Sequence, residues 1–547
     1  MLARRHGLLA ALLLALACAL ALPAVAAAKQ APLPKGWPSD RMQLGMRDDE
    51  GGADALRAST RLGARYHYLS GGVNTGSGWA GWAKGGGSFV NGFVDDSAGH
   101  GFLPVFSYYQ LRESAPGKDQ GEEQGDLDNL RNASTMRAYY QDLRLFFQKA
   151  AETGRTAVLH VEPDLWGYIQ RHTSGGDAAT VPASVASSGM TELAGLPDTA
   201  AGFAQAIVRL RNAYARNVLL GYHLSVWGTG VDIGDSDPSD ARVDELAGQS
   251  AAFYASLRTS FDLLFAEYAD RDAGYRQNVD GGGTSGWWDA GDFARNVRYL
   301  GGVAQATGKR IVMWQVPVGN TKMRAMDNTR GHYQDNRVEW LLDGAAGREH
   351  LKAYADAGVI AFLFGPALPG ATCACDAMGD GVTNPAPLGS GANRLSLSAD
   401  DDGGLFRSLA NAYYGAGTVA LPEAKVTGGA KAPTKAGNAR FSIRTSRTHA
   451  TVRRGRTTSV TVRVTSTRSV KAVVAVQFYA PGATKPTAQV DYRGQALKAG
   501  KRRIYTAKYK VPARARAGRW QVKVGVFDPD FRKLLHWSGS ATSFTVR

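Results

Sequence analysis

Eight short apolar runs, each followed by a longer polar-apolar stretch, constrain this chain more than any other feature of its sequence. The runs are Met42–Met46, Tyr66–Leu69, Leu103–Tyr108, Ala157–Val161, Leu219–Val226, Phe261–Ala266, Arg310–Val316 and Ile360–Phe364. Between them, Met136–Thr153, Ala200–Arg216, Ala241–Thr259 and Asp292–Thr307 carry helical patterns. Strict alternation of strand and helix predicts an α/β chain closed into a (β/α)8 TIM-type barrel over residues 38–418. A doubly wound open sheet is the alternative. No Gly-x-Gly-x-x-Gly follows the first run, so its dinucleotide-binding form has no support.

The pattern changes after the eighth run. Gly- and Pro-containing segments mark a linker over residues 419–438. Beyond it, period-two runs such as Thr458-Val460-Val462-Val464 and Trp520-Val522-Val524-Val526 predict a small all-β sandwich, Ig-like, over residues 439–547. Charge divides at the same place. From Lys431 onward there are 26 Lys and Arg against three acids, Asp491, Asp528 and Asp530, although the whole chain carries only +16. The part before is mildly acidic. A basic module in this setting suits an anionic cell-wall polymer, and no nucleic-acid motif accompanies the charge.

The first 28 residues read as a signal peptide. Arg4, Arg5 and His6 precede an almost pure Leu and Ala run from Leu8 to Leu22, and Pro23 then leads into Ala24-Val25-Ala26, a small-x-small cleavage pattern. That run is short of the ~20 residues that span a bilayer. The expectation is a secreted protein with no membrane attachment after cleavage.

The polar residues fall after the strands, where a barrel builds its active site. In Val158-Leu-His-Val-Glu-Pro-Asp-Leu-Trp166, the residues His160, Glu162 and Asp164 share one strand phase. Glu267 closes an otherwise apolar strand, a costly place for a carboxylate with no task. These observations select Glu162 as general acid/base, Glu267 as nucleophile or base and Asp164 as modulator of a glycoside-cleaving pair, since that chemistry needs two carboxyls and a raised pKa on one. His223, Ser225 and Trp227 share a phase on the fifth strand, and Gln315 stands on the seventh, where common barrel hydrolases carry a glutamate. Sugar rings stack on aromatic faces and bond to amides and imidazoles. His160, Trp166, His223, Trp227, Gln315, Trp79, Tyr108, Asn74 and Trp314 are therefore the candidate saccharide contacts.

No cofactor is required by this reading, and structural calcium has two weak candidates. Asp376 and Asp380 open like an EF-hand but lack the closing Glu; Asp232, Asp235, Asp237 and Asp240 form the other acidic loop. Loss of Cys18 with the leader leaves Cys373 and Cys375, a candidate disulfide in an exported protein. There is no Gly-x-Ser-x-Gly elbow, no His-Glu-x-x-His and no P-loop, which disfavours a serine hydrolase, a zincin and an NTPase.

Glu162-Pro-Asp-Leu at the end of the fourth strand resembles the motif of family-6 glycoside hydrolases, the cellulases, over those four residues. More broadly, residues 40–420 resemble secreted bacterial glycosidase-like barrels with no settled activity. Val522-Lys-Val-Gly-Val-Phe-Asp-Pro-Asp-Phe-Arg-Lys-Leu-Leu-His-Trp537 is similar to the closing strands of Ig-like modules appended to bacterial cellulases and chitinases. Both likenesses imply polysaccharide. The expected function is a secreted glycoside hydrolase acting on an extracellular polysaccharide, of β-glucan or cell-wall type. The alternative is a non-catalytic carbohydrate-binding or cell-surface protein on the same scaffold.

Overall fold

The computed structural model describes residues 30–366, 370–381, 397–422 and 441–547, apart from 468, 484, 530 and 532. The leader and most of the linker lie outside the described residues. The chain forms two compact units, divided between Thr427 and Gly428.

In the first unit the eight expected strands are all present: β1 (Gln43–Arg47), β2 (Ala64–Leu69), β3 (Leu103–Tyr108), β4 (Ala157–Val161), β5 (Val218–Leu224), β6 (Leu263–Glu267), β7 (Ile311–Val316) and β8 (Val359–Phe364). Each pairs in parallel with the next, and β1 also pairs in parallel with β8, with Leu44 opposite Phe362. That last pairing closes the barrel and removes the open-sheet alternative. Every residue of β3 to β8 is buried, because one face packs into the barrel and the other lies under helices.

The helix boundaries follow from capping chemistry. The helix expected from Met136 starts at Ala133, because the Asn132 side chain accepts hydrogen bonds from the Ser134 and Thr135 amides. It stops where Gly154 turns left-handed at φ 62°. Asp289 and Asp292 form a capping box that starts the helix Ala290–Thr307, and Gly308 ends it at φ 65°. Three strands differ from expectation at their C-terminal tips. β1 runs on to Arg47, β5 stops at Leu224, and β6 runs on to include Glu267.

The second unit is all β. Its strands are β9 (Phe441–Arg447), β10 (Thr451–Val452), β11 (Thr457–Ser466), β12 (Val470–Tyr479), β13 (Ala488–Leu497), β14 (Arg502–Lys510), β15 (Gly518–Phe527) and β16 (Leu534–Val546). They form a five-stranded sheet ordered β10-β16-β15-β12-β13 and a three-stranded sheet ordered β14-β11-β9. The alternation seen in the sequence is the inside-outside alternation of these strands. Val460, Val462 and Val464 of β11 share one core with Val474, Val476, Val522 and Trp520. Among the described residues no helix is long and apolar enough to cross a membrane.

Candidate active site

The C-terminal ends of β4, β5 and β6 bring three side chains together. One carboxylate oxygen each from Asp164 and Glu267 and one ring nitrogen of His223 lie within 4.8 Å of one another. Glu267 is the last residue of β6, His223 lies one residue before the end of β5, and Asp164 sits in the turn after β4. That turn is unusual. Glu162 and Asp164 both adopt positive φ, 45° and 69°, in the left-handed region that side-chain-bearing residues avoid. Gln315 on β7 does the same at 52°.

The strain decides which carboxylate reaches the mouth. Strand alternation stops at Val161, so the expected common phase of His160, Glu162 and Asp164 does not persist into the turn. Glu162 swings behind the barrel wall, where its carboxylate accepts from the Gln110 amide at 3.2 and 3.3 Å and the Leu111 amide at 3.4 Å. Glu162, the expected general acid/base, is thus held by backbone amides, and the carboxyl grouped with Glu267 is Asp164.

Burial dominates the electrostatics. It holds the Asp164 carboxyl well above the usual carboxylate range, helped by the charges of Asp270 and Glu122. It does the same for Glu267, with Asp164 the next contributor. Two neighbouring carboxyls raised in this way share protons, because both cannot ionise at low cost. Trp227 Nε1 donates to Glu267 Oε1 at 3.1 Å and biases Glu267 toward the ionised form.

Beneath the pair lies a neutral imidazole chain. His160 Nε2 and His223 Nδ1 are 2.9 Å apart, and His160 Nδ1 meets Ser107 Oγ at 3.3 Å. Burial lowers the His223 pKa to about 3 and that of His160 well below its ordinary value. His160 stacks on Phe265 at 4.2 Å, and Trp314 closes edge-on against both rings. His223 Nε2 is buried and has no hydrogen-bond partner.

A cavity of about 290 Å³ opens from Glu267, walled by the indoles of Trp227 and Trp288 and by Asp232, Asp270, Arg271 and Arg276. Trp227 reaches this place because residue 167 is glycine: a Cβ there would come within 2.6 Å of the indole. A second cavity of about 590 Å³ lies toward β1 and β2, bordered by Arg47, Asp48, Tyr68, Tyr109 and the Cys373 loop. Gln315 Nε2 donates to the Tyr68 hydroxyl on that side.

The other expected saccharide contacts divide. Trp227 walls the first cavity, Gln315 bonds Tyr68 beside the second, and His223 lies beneath the carboxyl pair. His160 and Trp314 form the floor there and are almost fully buried. Trp166 packs in the core on Phe203 and Tyr222 and donates to the Val161 carbonyl. Trp79 and Tyr108 are fully buried and both donate to Asp142. Asn74 exchanges two hydrogen bonds with the Ala115 backbone and pins one loop to another. None of these four lines either cavity, and the three aromatic ones have polar partners in the core, as buried indole and phenol groups need.

The acidic loops have protein partners. Asp235 takes two hydrogen bonds from Arg276, Asp237 pairs with Arg295, and Asp240 with Arg298. Asp380 meets His332 Nε2 at 2.8 Å, and Asp376 accepts the Asp380 amide. Cys373 and Cys375 form a disulfide, with Cα atoms 5.2 Å apart. The loops after β6, β7 and β8 are tied together by buried polar groups. Asp335 accepts from the Ala273 amide and pairs with Arg337 at 2.7 Å, both side chains fully buried. Asp272 accepts from the Gly319 and Thr372 amides, both at 3.0 Å. Arg337 lies 4.8 Å from the centre of the Trp288 ring and so backs the cavity wall.

The clamp at Glu162 has a pH signature. Burial raises its pKa from the usual carboxylate range to about 8, against the pull of the Gln110 and Leu111 amides. A carboxyl raised on folding favours the folded state fully below about pH 4.5, and that contribution is lost as pH rises through about 8. The expected result is a melting temperature that falls less between pH 5 and 8.5 in Glu162→Gln than in the parent, measured by differential scanning fluorimetry. An unchanged slope would remove Glu162 as the source.

No protein-family model matches the chain, and no curated protein does. Among solved structures, the chain is similar to a β-glucosidase from Listeria innocua in complex with glucose, at 12% identity, over 62% of this chain and 41% of that one, with TM-score 0.15. It is similar to a calcium-binding mutant of Bacteroides uniformis β-glucuronidase 2, at 10% identity, over 93% of this chain and 46% of that one, with TM-score 0.33. An immunoglobulin-like protein from Pseudomonas aeruginosa matches at 15% identity over 20% of this chain and 98% of its own, with TM-score 0.15. This chain spans less than half the length of either glycosidase. The barrel assignment rests on its own strand order.

Proposed function

We propose that the barrel is a glycoside hydrolase acting on an extracellular polysaccharide, with Asp164 and Glu267 as its carboxyl pair. The observation that carries this reading is the approach of those two groups to within 4.8 Å, with Glu267 on the wall of an indole-lined cavity. An approach within that limit suits the retaining arrangement, in which the carboxyls stand ~5–5.5 Å apart, better than the inverting one at ~6.5–9.5 Å. Glu267, steadied by Trp227, attacks the anomeric carbon while protonated Asp164 gives its proton to the departing glycosidic oxygen. The resulting glycosyl ester is then cleaved by water, whose proton returns to Asp164. His223 borders both groups as a neutral contact.

Export is part of this reading and is supported by the leader pattern in the first 28 residues. The C-terminal unit would hold the enzyme on an anionic wall polymer. The strands β9, β11 and β14 contain no Asp or Glu, and Arg444, Arg502, Lys508 and Lys510 are exposed on them.

The test is reducing-sugar release from a panel of β-glucans, mannans, xylans, amino-sugar polymers and wall preparations, with the anomer of the first product followed by NMR. Retention of configuration on at least one glycan is expected. Binding to a glycan without release would leave the non-catalytic alternative. In the same panel, sedimentation with an anionic wall polymer should be lost at high salt, and salt-independent sedimentation would count against the electrostatic role.

A further inference from the structure

The cavity beside Glu267 has a charge that a neutral sugar does not satisfy. Its wall carries Asp232, Asp235, Glu267, Asp270 and Asp280 against Arg271 and Arg276. Arg276 is committed to Asp235 through two hydrogen bonds of 2.6 Å. Arg271 donates to a backbone carbonyl and lies over the Tyr275 ring, 5.2 Å from its centre. Asp232 accepts the Gly234 amide at 2.8 Å and is not paired with either guanidinium. Glu267 has Trp227 as its hydrogen-bond donor, and its nearest ionisable neighbours are further acids, Asp164, Asp270 and Asp232. The excess negative charge therefore concentrates at the inner end of the cavity, beside the carboxyl pair.

A second observation at the same place is independent of the acids. His223 is fully buried, its Nδ1 is engaged by His160, and its Nε2 has no partner while a ring nitrogen lies within 4.8 Å of both Asp164 and Glu267. A buried polar atom left open in this way leaves hydrogen-bonding capacity beside the carboxyl pair. Two carboxyls and an imidazole nitrogen together favour a polyvalent donor with positive charge.

We propose that the glycan bound in this cavity carries free ammonium groups, so that the substrate is a polymer of unacetylated 2-amino-2-deoxyhexose. This inference rests on the reading that the cavity binds saccharide, and it supplies that saccharide's class. An ammonium offers three donors and one positive charge to Asp232, Glu267 or Asp270. The indoles of Trp227 and Trp288 accept the apolar faces of the ring and add cation–π attraction. N-acetylation would remove the charge. A bare divalent ion uses the acceptors but leaves about 290 Å³ and two aromatic walls unfilled.

The test is binding of the full chain to three hexasaccharides, measured by calorimetry: β-1,4-linked glucosamine, its fully N-acetylated counterpart and the glucose equivalent. The glucosamine hexamer is expected to bind at least tenfold more tightly than the other two, and to weaken severalfold between 0.05 and 0.5 M NaCl. Asp232→Asn and Asp270→Asn should each narrow that preference by about three- to tenfold, by weakening a charge-assisted contact. Asp270 is exposed at the rim, so its variant carries little risk to folding. Equal or tighter binding of a neutral hexamer overturns the proposal. So does insensitivity to salt, or displacement of the glucosamine hexamer by one equivalent of zinc or calcium. Preferential binding with no cleavage would leave the charge assignment standing and remove hydrolysis. Equal cleavage of neutral glycans would do the reverse.

Discussion

Glu267→Gln lowers turnover by about a thousandfold or more, and Asp164→Asn by about a hundred- to ten-thousandfold, the range for losing a general acid/base. Both variants keep the fold, because each exchange is isosteric and takes a costly charge out of a buried site. The two also separate by substrate. A leaving group that needs no protonation, such as a dinitrophenolate, should restore much of the first step in Asp164→Asn and none of it in Glu267→Gln. External azide should rescue the Glu267 variant with formation of the inverted glycosyl azide. Wild-type turnover in either variant removes that residue from the pair. Identical rescue behaviour in both would assign the roles wrongly. Glu162→Gln serves as control, since its carboxylate faces the Gln110 and Leu111 amides behind the wall.

The largest effect on stability is expected at Arg337. Its guanidinium is fully buried, pairs with Asp335 at 2.7 Å and lies against Trp288. Arg337→Met removes the cation but leaves the buried Asp335 carboxylate, with Asp272 already raised to about 8 by burial and by the Asp335 charge. Breaking such a pair from one side costs ~3–5 kcal/mol, because an uncompensated charge stays inside. The paired change of Asp335→Asn with Arg337→Met should recover part of that loss. The measurement is chemical denaturation of both variants. A loss under about 1 kcal/mol for the single change would show that water or a rearranged loop takes over the role.

Much of the fold was legible because each strand is short, apolar and bounded by turn residues. β3 and β4 end where the pattern says, and β6 is shifted to start at Leu263 and admit Glu267. The site was less legible for a specific reason. Alternation assigns side-chain direction only while the backbone stays extended, and after Val161 it does not. Glu162 and Asp164 therefore exchanged their expected places. The indoles show a second limit: Trp79 and Trp166 follow strands just as Trp227 does, but Asp142 and the Val161 carbonyl hold their N–H groups in the core. Composition cannot separate an indole that walls a cavity from one that packs in the core. Arg337 was hidden for the opposite reason, since a lone arginine in a polar loop carries no sign of full burial.

The positive φ angles at Glu162, Asp164 and Gln315 limit how this barrel can be made more heat-resistant. Glycine or asparagine at such positions is a standard stabilising exchange, because it relaxes the backbone. Among the described residues, three of the seven non-glycine residues with positive φ stand at the ends of β4 and β7, one of them Asp164 itself. A screen that selects only for survival at high temperature will be drawn to these positions, and each gain there would be taken from activity. Directed evolution of this scaffold should hold the three fixed and seek its robustness in the helices and the outer loops.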